Sequence, residues 1–560
     1  MPRRPLRWLA ILAALTVAAC SGVRGTGNGG AAPTSAEAAR FLTQASYGAT
    51  ESTITVVQAS GYSQWIDQQM VTPAPPGHQA DVDARLVQIR LTNPTATLNP
   101  VDFYYSFWDQ AITGPDQLRQ RMKLALSEIF VISLTDSSID TRGAASYYDM
   151  LGANAFGNYR TLLEQVTLHP MMGVYLTWLA NQREDPVTGR NPDENYAREV
   201  MQLMSIGLHQ LNPDGTVRTD NSGRPIPSYT DADISGLAKV FTGYSYFSPA
   251  PTSVTFSGRN LPADARVRSM IPYPQFHSLS AKSFLGVTIP ASNVSDPAGD
   301  LKIALDTIFN HPNVGPFIGK QLIQRLVTSN PSPAYVARVT AVFNNNGRGV
   351  RGDMAAVVRA ILLDEEARSA SVADGVNAGK LREPMIRLAN WARAFGATSA
   401  SGEWLIGSTS ANTSLGQSPL TAPSVFNFYR PGYSPPNTRV GTAGLVAPEF
   451  QIVDEVTVSG YLNTLQTTVD GGIGVTSNGV RDVRSAYAAE IAIANNPAAL
   501  VERMNLLLLN GRMSPALRTR ITEAVQGVAL PATNQTAALT NRAKLAVYMT
   551  MASAEYLVQR

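Results

Sequence analysis

The sequence predicts a mainly α fold: one large multi-helix domain carrying a β-hairpin excursion and long irregular loops. Three observations lead there. Apolar residues recur at three- and four-residue steps, as in Leu118, Met122, Leu126, Ile129 and Phe130, the period of a helix with one buried face. Proline stands just inside several of these runs, where its missing N–H costs a helix nothing. Turn dipeptides and Pro-rich stretches are confined to a few segments.

The chain opens on MPRRPLRWLAILAALTVAAC, which reads as a targeting segment: Arg3, Arg4 and Arg7, then an apolar stretch from Trp8 to Ala19 ending in small residues. That stretch falls short of the roughly 20 apolar residues needed to span a bilayer. Its end, Val17-Ala18-Ala19-Cys20, resembles a bacterial lipoprotein box, so residues 1–19 are expected to be removed and Cys20 to carry the lipid. The alternative is a conventional cut after Ala19. Ser21, where an Asp would retain a lipoprotein at the inner membrane, resembles signals sorted to the outer membrane. The expected location is the periplasmic face of that membrane or the cell surface. Residues 20–35 read as a flexible tether of small residues. Its GxGxxG (Gly25, Gly27, Gly30) lacks the strand and helix that a dinucleotide site requires.

From residue 36 to 560 the pattern is that of a single helical domain. Helical periodicity runs through AEAARFLTQAS, the stretch holding Ile54, Val57, Tyr62 and Ile66, and QLRQRMKLALSEIFVIS. It continues in RTLLEQVTL, HPMMGVYLTWLAN, LKIALDTIFN and HPNVGPFIGKQLIQRLV. His169-Pro170 and His311-Pro312 read as helix starts capped by histidine. LNPDGTVRTDNSGRPIPSYT, with Asp214-Gly215 and Asn221-Ser222-Gly223, is the hairpin excursion. The Pro-rich stretch from Ser245 to Asn293 and the segment after Trp391 read as loops, the first with short strands; helices are expected again from Arg481 to Arg560. Arg351-Gly352-Asp353 reads as a turn before a helix.

Of 560 residues, 44 % are hydrophobic and 16 % charged, against roughly 25 % charged in a typical soluble domain. The surface therefore leans on Ser, Thr, Asn, Gln and Gly, which suits an exported protein. A single cysteine excludes intramolecular disulfides, cysteine zinc sites and iron–sulfur clusters. The formal charge of +3 equals the three arginines of the first twenty residues, so the remainder is neutral and has no field to draw in nucleic acid.

The most specific feature is NPDENYAREVMQLMSIGL, from Asn191 to Leu208. Asn191 is expected to cap a helix, with Pro192 at its first position and Glu194 completing a capping box. That leaves Asn195, Arg198 and Glu199 for other work. Asn191, Asp193 and Asn195 have the start of a calcium-loop spacing, but Tyr196 and Gln202 stand where that loop needs Gly and Glu. There is no HExxH or GxSxG, and GVNAGK (Gly375 to Lys380) is one residue short of a phosphate loop. Neither a metal site nor a cofactor is expected.

Together with SYTDADISGLAKVFTGY, KLREPMIRLANWARAFG and LGQSPLTAPSVFNFYRPGY, this helix resembles the bacterial "domain of unknown function 1800" family over nearly all of 36–560. The resemblance implies an exported bacterial protein whose genes neighbour those of a second exported family with the alkaline phosphatase and sulfatase fold. It also implies a His-Asp-x-x-x-Lys stretch, present here as His277-Ser278 and Lys282 without the acid, and histidines that MKLALSEIFVIS lacks. The candidate site residues are Asn195, Arg198 and Glu199, supported by His277, Lys282 and Asp233, with Glu199 as a general base and Arg198 as an anion holder. Two roles follow. The first is a lipid-anchored scaffold or binding protein acting with the phosphatase/sulfatase-like partner. The alternative is an envelope hydrolase or lyase acting on polysaccharide or peptidoglycan.

Overall fold

Local sequence sets most helix starts. Thr34, Thr50 and Thr230 each accept a backbone N–H three residues on, while Glu37, Thr53 and Asp233 reach back, closing three capping boxes worth about 1 kcal/mol apiece. His169 Nδ1 accepts the N–H of Met171 at 3.2 Å and caps helix Pro170–Tyr175. His311 makes the equivalent bond to Asn313 N, just ahead of helix Val314–Leu326. Asp353 caps helix Met354–Leu363, and Gly352 before it turns with φ +73°, so the Arg-Gly-Asp segment is a turn.

The computed structural model describes residues 32–560; the expected signal segment, Cys20 and most of the expected tether lie outside them. The described chain holds 25 α-helices and only small antiparallel sheets, a mainly α fold. Residues 33–560 form one compact unit around a continuous hydrophobic core that runs from Ala38 to Tyr556. No helix among the described residues is long and apolar enough to cross a membrane.

Both ends of the unit pack against segments distant in sequence. Helix Ser35–Ala45 packs on helix Glu51–Val71 and on helix Pro497–Leu509, and strand Val558–Gln559 pairs with Lys380–Leu381. The hairpin excursion is a pair of nested turns held by isolated bridges, His209 to Pro227, Leu211 to Val217 and Thr219 to Pro225. Gly215 and Gly223 take the positive φ that these turns need. The Pro-rich stretch contains two short hairpins, Tyr244–Ser245 with Ile271–Pro272 and Lys282–Phe284 with Val287–Ile289.

Four expectations are corrected. The polar helix begins at Asn195, not at Pro192. The run through Phe130 stops being helical at Ser127, although Ile129 and Phe130 are buried. Arg481 lies in strand Val480–Arg484, paired with Ile473–Ser477 and Thr398–Ser399, and helices resume only at Ala488. Long helices Pro100–Thr113 and Glu455–Gly471 stand where none is marked by periodicity. The first is apolar nearly all round (Phe103, Tyr104, Phe107, Trp108), and the second is rich in β-branched Thr and Val. Both compositions blur a helical stripe.

Candidate functional site

Residues 191–194 form an irregular entry to helix Asn195–Gln202. The side-chain amide of Asn181 explains this. Its Oδ1 accepts the N–H of Asp193 at 2.9 Å and its Nδ2 donates to the Asp193 carbonyl at 3.3 Å, clamping the backbone there before a helix can start. Asn191 therefore caps nothing. Glu194 occupies the cap position but makes no capping bond, and Asp193 Oδ1 takes the N–H of Asn195 instead, at 2.8 Å.

Glu194 turns its carboxylate sideways. One oxygen accepts from Ser235 Oγ and the other lies 3.4 Å from Arg198 Nη2, so it ties helix Asn195–Gln202 to helix Asp231–Val240. Arg198 is half-buried and also lies 3.9 Å from Asp231. Ion pairs in that setting contribute tenths of a kcal/mol. Asn195 is exposed and donates to Thr177 Oγ1 at 3.3 Å. Glu199 differs from its neighbours: it is only 7 % exposed, and its Oε2 has no hydrogen-bond partner among the described residues. Burial raises its carboxyl above the ordinary glutamate range, with Arg198 opposing weakly.

Asp233 is a fastener. Its Oδ2 accepts the N–H of Thr230 and its Oδ1 the N–H of Leu285, both at 2.7 Å, fixing hairpin Lys282–Phe284 and Val287–Ile289 onto the start of the helix. His277 and Lys282 do come together, through an acid that the sequence reading did not include. Asp300, in helix Pro297–Asn310, receives His277 Nε2 and Lys282 Nζ on the same Oδ2 at 2.9 Å each. The acid absent after His277 in the sequence is thus supplied by a distant helix.

All donors in that group are spent. Lys282 Nζ also donates to the carbonyls of Ser278 (2.8 Å) and Ser280 (3.3 Å). His277 Nδ1 lies 2.8 Å from the Thr242 carbonyl, so both ring nitrogens face acceptors. The ring can sit this close because Gly243, at φ +73°, has no Cβ; one there would stand 2.7 Å from His277 N. Burial works against the Asp300 charge, but the bonds from His277 and Lys282 outweigh it and hold the carboxyl below its ordinary range.

A second polar group went unseen in the sequence. Glu128, Glu383 and Glu449 are buried with Arg121, Arg325 and Lys380. Lys380 Nζ bonds the Arg325 carbonyl at 2.8 Å and Glu449 at 2.9 Å. Glu128 takes the Tyr429 hydroxyl at 3.1 Å and lies 3.4 Å from Arg325 Nε, while Gln417 donates to Glu383 at 2.8 Å. Glu128 and Glu383 act on each other in this buried group, and an Oε1 of each lacks a hydrogen-bond partner among the described residues. Burial and the neighbouring Glu383 push the Glu128 carboxyl well up. For Glu383 burial is outweighed by the influence of Glu128 and Lys380, and its carboxyl is lowered. The signal for this group was present: Glu128 interrupts the apolar run Leu126 to Phe130, and charged Lys380, Arg382 and Glu383 precede a helix whose residues are nearly all buried.

Five surface cavities measure about 490 to 710 Å3, and none of these five is lined by Asn195, Arg198, Glu199, Asp233, His277 or Lys282. Among the described residues no three His, Cys, Asp or Glu side chains are placed to share a metal ion. A family model described as "Protein of unknown function (DUF1800)" matches residues 40–558. No curated protein and no solved structure matches the chain.

Proposed function

Because the chain belongs to the DUF1800 family, whose description carries no activity, we propose its role from its own side chains: an exported, lipid-anchored envelope protein that binds and holds a partner without turning over a substrate. One observation carries this reading. Of the polar residues that could have formed a catalytic site, His277 and Lys282 are buried and fully bonded around Asp300, and Asp233 is consumed in fastening a hairpin. A general base or nucleophile must present a free atom to its substrate. These groups present none.

The lipid anchor at Cys20, reached through the tether 20–35, holds the domain at the periplasmic face of the outer membrane or at the cell surface. The partner is an exported protein of the phosphatase/sulfatase class. Crosslinking in a strain with a tagged copy tests the pairing. Capture of such a protein by the wild type, and its loss when Cys20→Ala releases the chain into the soluble fraction, are the expected results. Crosslinking that yields only copies of the chain itself contradicts the partner, and a Cys20→Ala chain that stays with membranes contradicts the anchor.

A second reading, an envelope hydrolase or lyase acting on polysaccharide or peptidoglycan, draws on Glu199 alone. Its unpaired buried oxygen and raised carboxyl are what a general base or acid needs. It is separated from the first reading by Glu199→Gln, as argued below.

A further inference from the structure

The cavity of about 670 Å3 beside the paired strands Lys380–Leu381 and Val558–Gln559 is lined by Arg40, Gln44, Lys320, Ser329, Glu366 and Arg560, with the glycine-rich segment 375–379 forming one wall. Its volume is that of a small-molecule site, roughly 300–1,000 Å3. Two buried side chains in it are left short of partners. Gln44 is 1 % exposed, and neither end of its amide is hydrogen-bonded among the described residues, the Oε1 being fully buried. Arg40 is 8 % exposed; its Nη1 donates to the carbonyls of Arg368 (2.9 Å) and Ser369 (3.1 Å), and its Nε has no acceptor.

The charge in the cavity is unbalanced. Neither Arg40 nor Lys320 makes an ion pair among the described residues, Arg560 adds a further guanidinium and a main-chain carboxylate to the lining, and the one acidic side chain there, Glu366, is engaged by Arg338 at 3.1 Å and by Ser332. A buried guanidinium without a counter-ion is costly, and a bound anion removes that cost. Burial lowers Arg40 to about 10, so it remains charged at neutral pH.

We propose that this cavity binds a small polyhydroxylated anion of the uronic acid type, its carboxylate held by Arg40 and Lys320 and its hydroxyls by Gln44 and Ser329, Thr328 being bonded to Gly379. The glycine-rich segment that fell short of a phosphate loop serves here as a wall without a Cβ at either end. The site shares no lining residue with the groups around Glu199 or Asp300, and it stands whether or not a partner protein is captured.

Calorimetric titration of the full mature chain with D-glucuronate, D-glucose and sodium sulfate tests it. Saturable binding of glucuronate is expected, at least tenfold tighter than either glucose or sulfate. Lys320→Gln, on the surface, and Gln44→Leu, of similar size, should each weaken glucuronate at least threefold while leaving the thermal melt in place. Absence of saturable glucuronate binding overturns the proposal, as does equal binding by both variants. Sulfate binding as tight as glucuronate overturns the assignment of the hydroxyl contacts.

Discussion

Nε2 of His277 stands 2.9 Å from Oδ2 of Asp300, and Lys282 reaches the same oxygen at the same distance. One carboxylate thus neutralises two buried donors from a different segment of chain. Asp300→Asn should therefore be severely destabilising, by about 3 kcal/mol or more, because it leaves a buried ammonium without its counter-charge. Denaturant unfolding of the variant measures this. Because the Asp300 carboxyl is held below its ordinary range, its contribution is present above that range and lost as pH falls through the lowered value. The wild-type advantage over Asp300→Asn should shrink in strong acid.

His169 gives a second acid dependence, at milder pH. Burial lowers its imidazole from 6.5 to about 3, so it folds neutral. An imidazole depressed in the fold contributes stability above 6.5 that is lost as pH falls towards 3, at up to about 1.4 kcal/mol per pH unit. His169→Asn retains a good capping side chain and removes the titration. Its stability should fall less steeply between pH 6.5 and 4.5 than that of the wild type, and equal slopes would show that His169 does not titrate on unfolding.

The carboxyl pair predicts an asymmetry. Glu128, pushed well up by burial and by Glu383, is neutral, so Glu128→Gln replaces one neutral group with another and should cost less than about 1 kcal/mol. Glu383→Gln removes the charged member facing Lys380 and Arg121 and should cost about 3 kcal/mol or more. Chemical denaturation of both variants decides it; the reverse order would place the proton on Glu383.

The fold was legible where local chemistry acts alone. Helical periodicity, the His169 cap and the Asp214-Gly215 turn depend on neighbours within four residues, and each stands in the structure. The start of the polar helix was not legible, because Asn181 overrides the local signal at Asn191 from ten residues away. His277 and Lys282 were recognisable as a pair, but Asp300, 23 residues beyond His277, was not. Glu128 lies 255 residues before Glu383 and Glu449 lies 66 after it, and only packing makes them one group. Such groups carry no fixed spacing for a sequence to display.

Glu199 provides the most direct test of the binding-protein account. Its side chain makes no ion pair among the described residues, since Arg198 turns to Glu194 and Asp231, and burial raises its carboxyl. A carboxyl raised in the fold is stabilising in its protonated form, and that benefit is lost as pH rises through the raised value. Glu199→Gln should therefore leave the melt at neutral pH unchanged or slightly higher. The deciding measurement is complementation of a deletion strain by Glu199→Gln expressed at the wild-type level. Full complementation is the result this account predicts. An intact melt with complementation abolished would contradict it and establish Glu199 as a functional carboxylate.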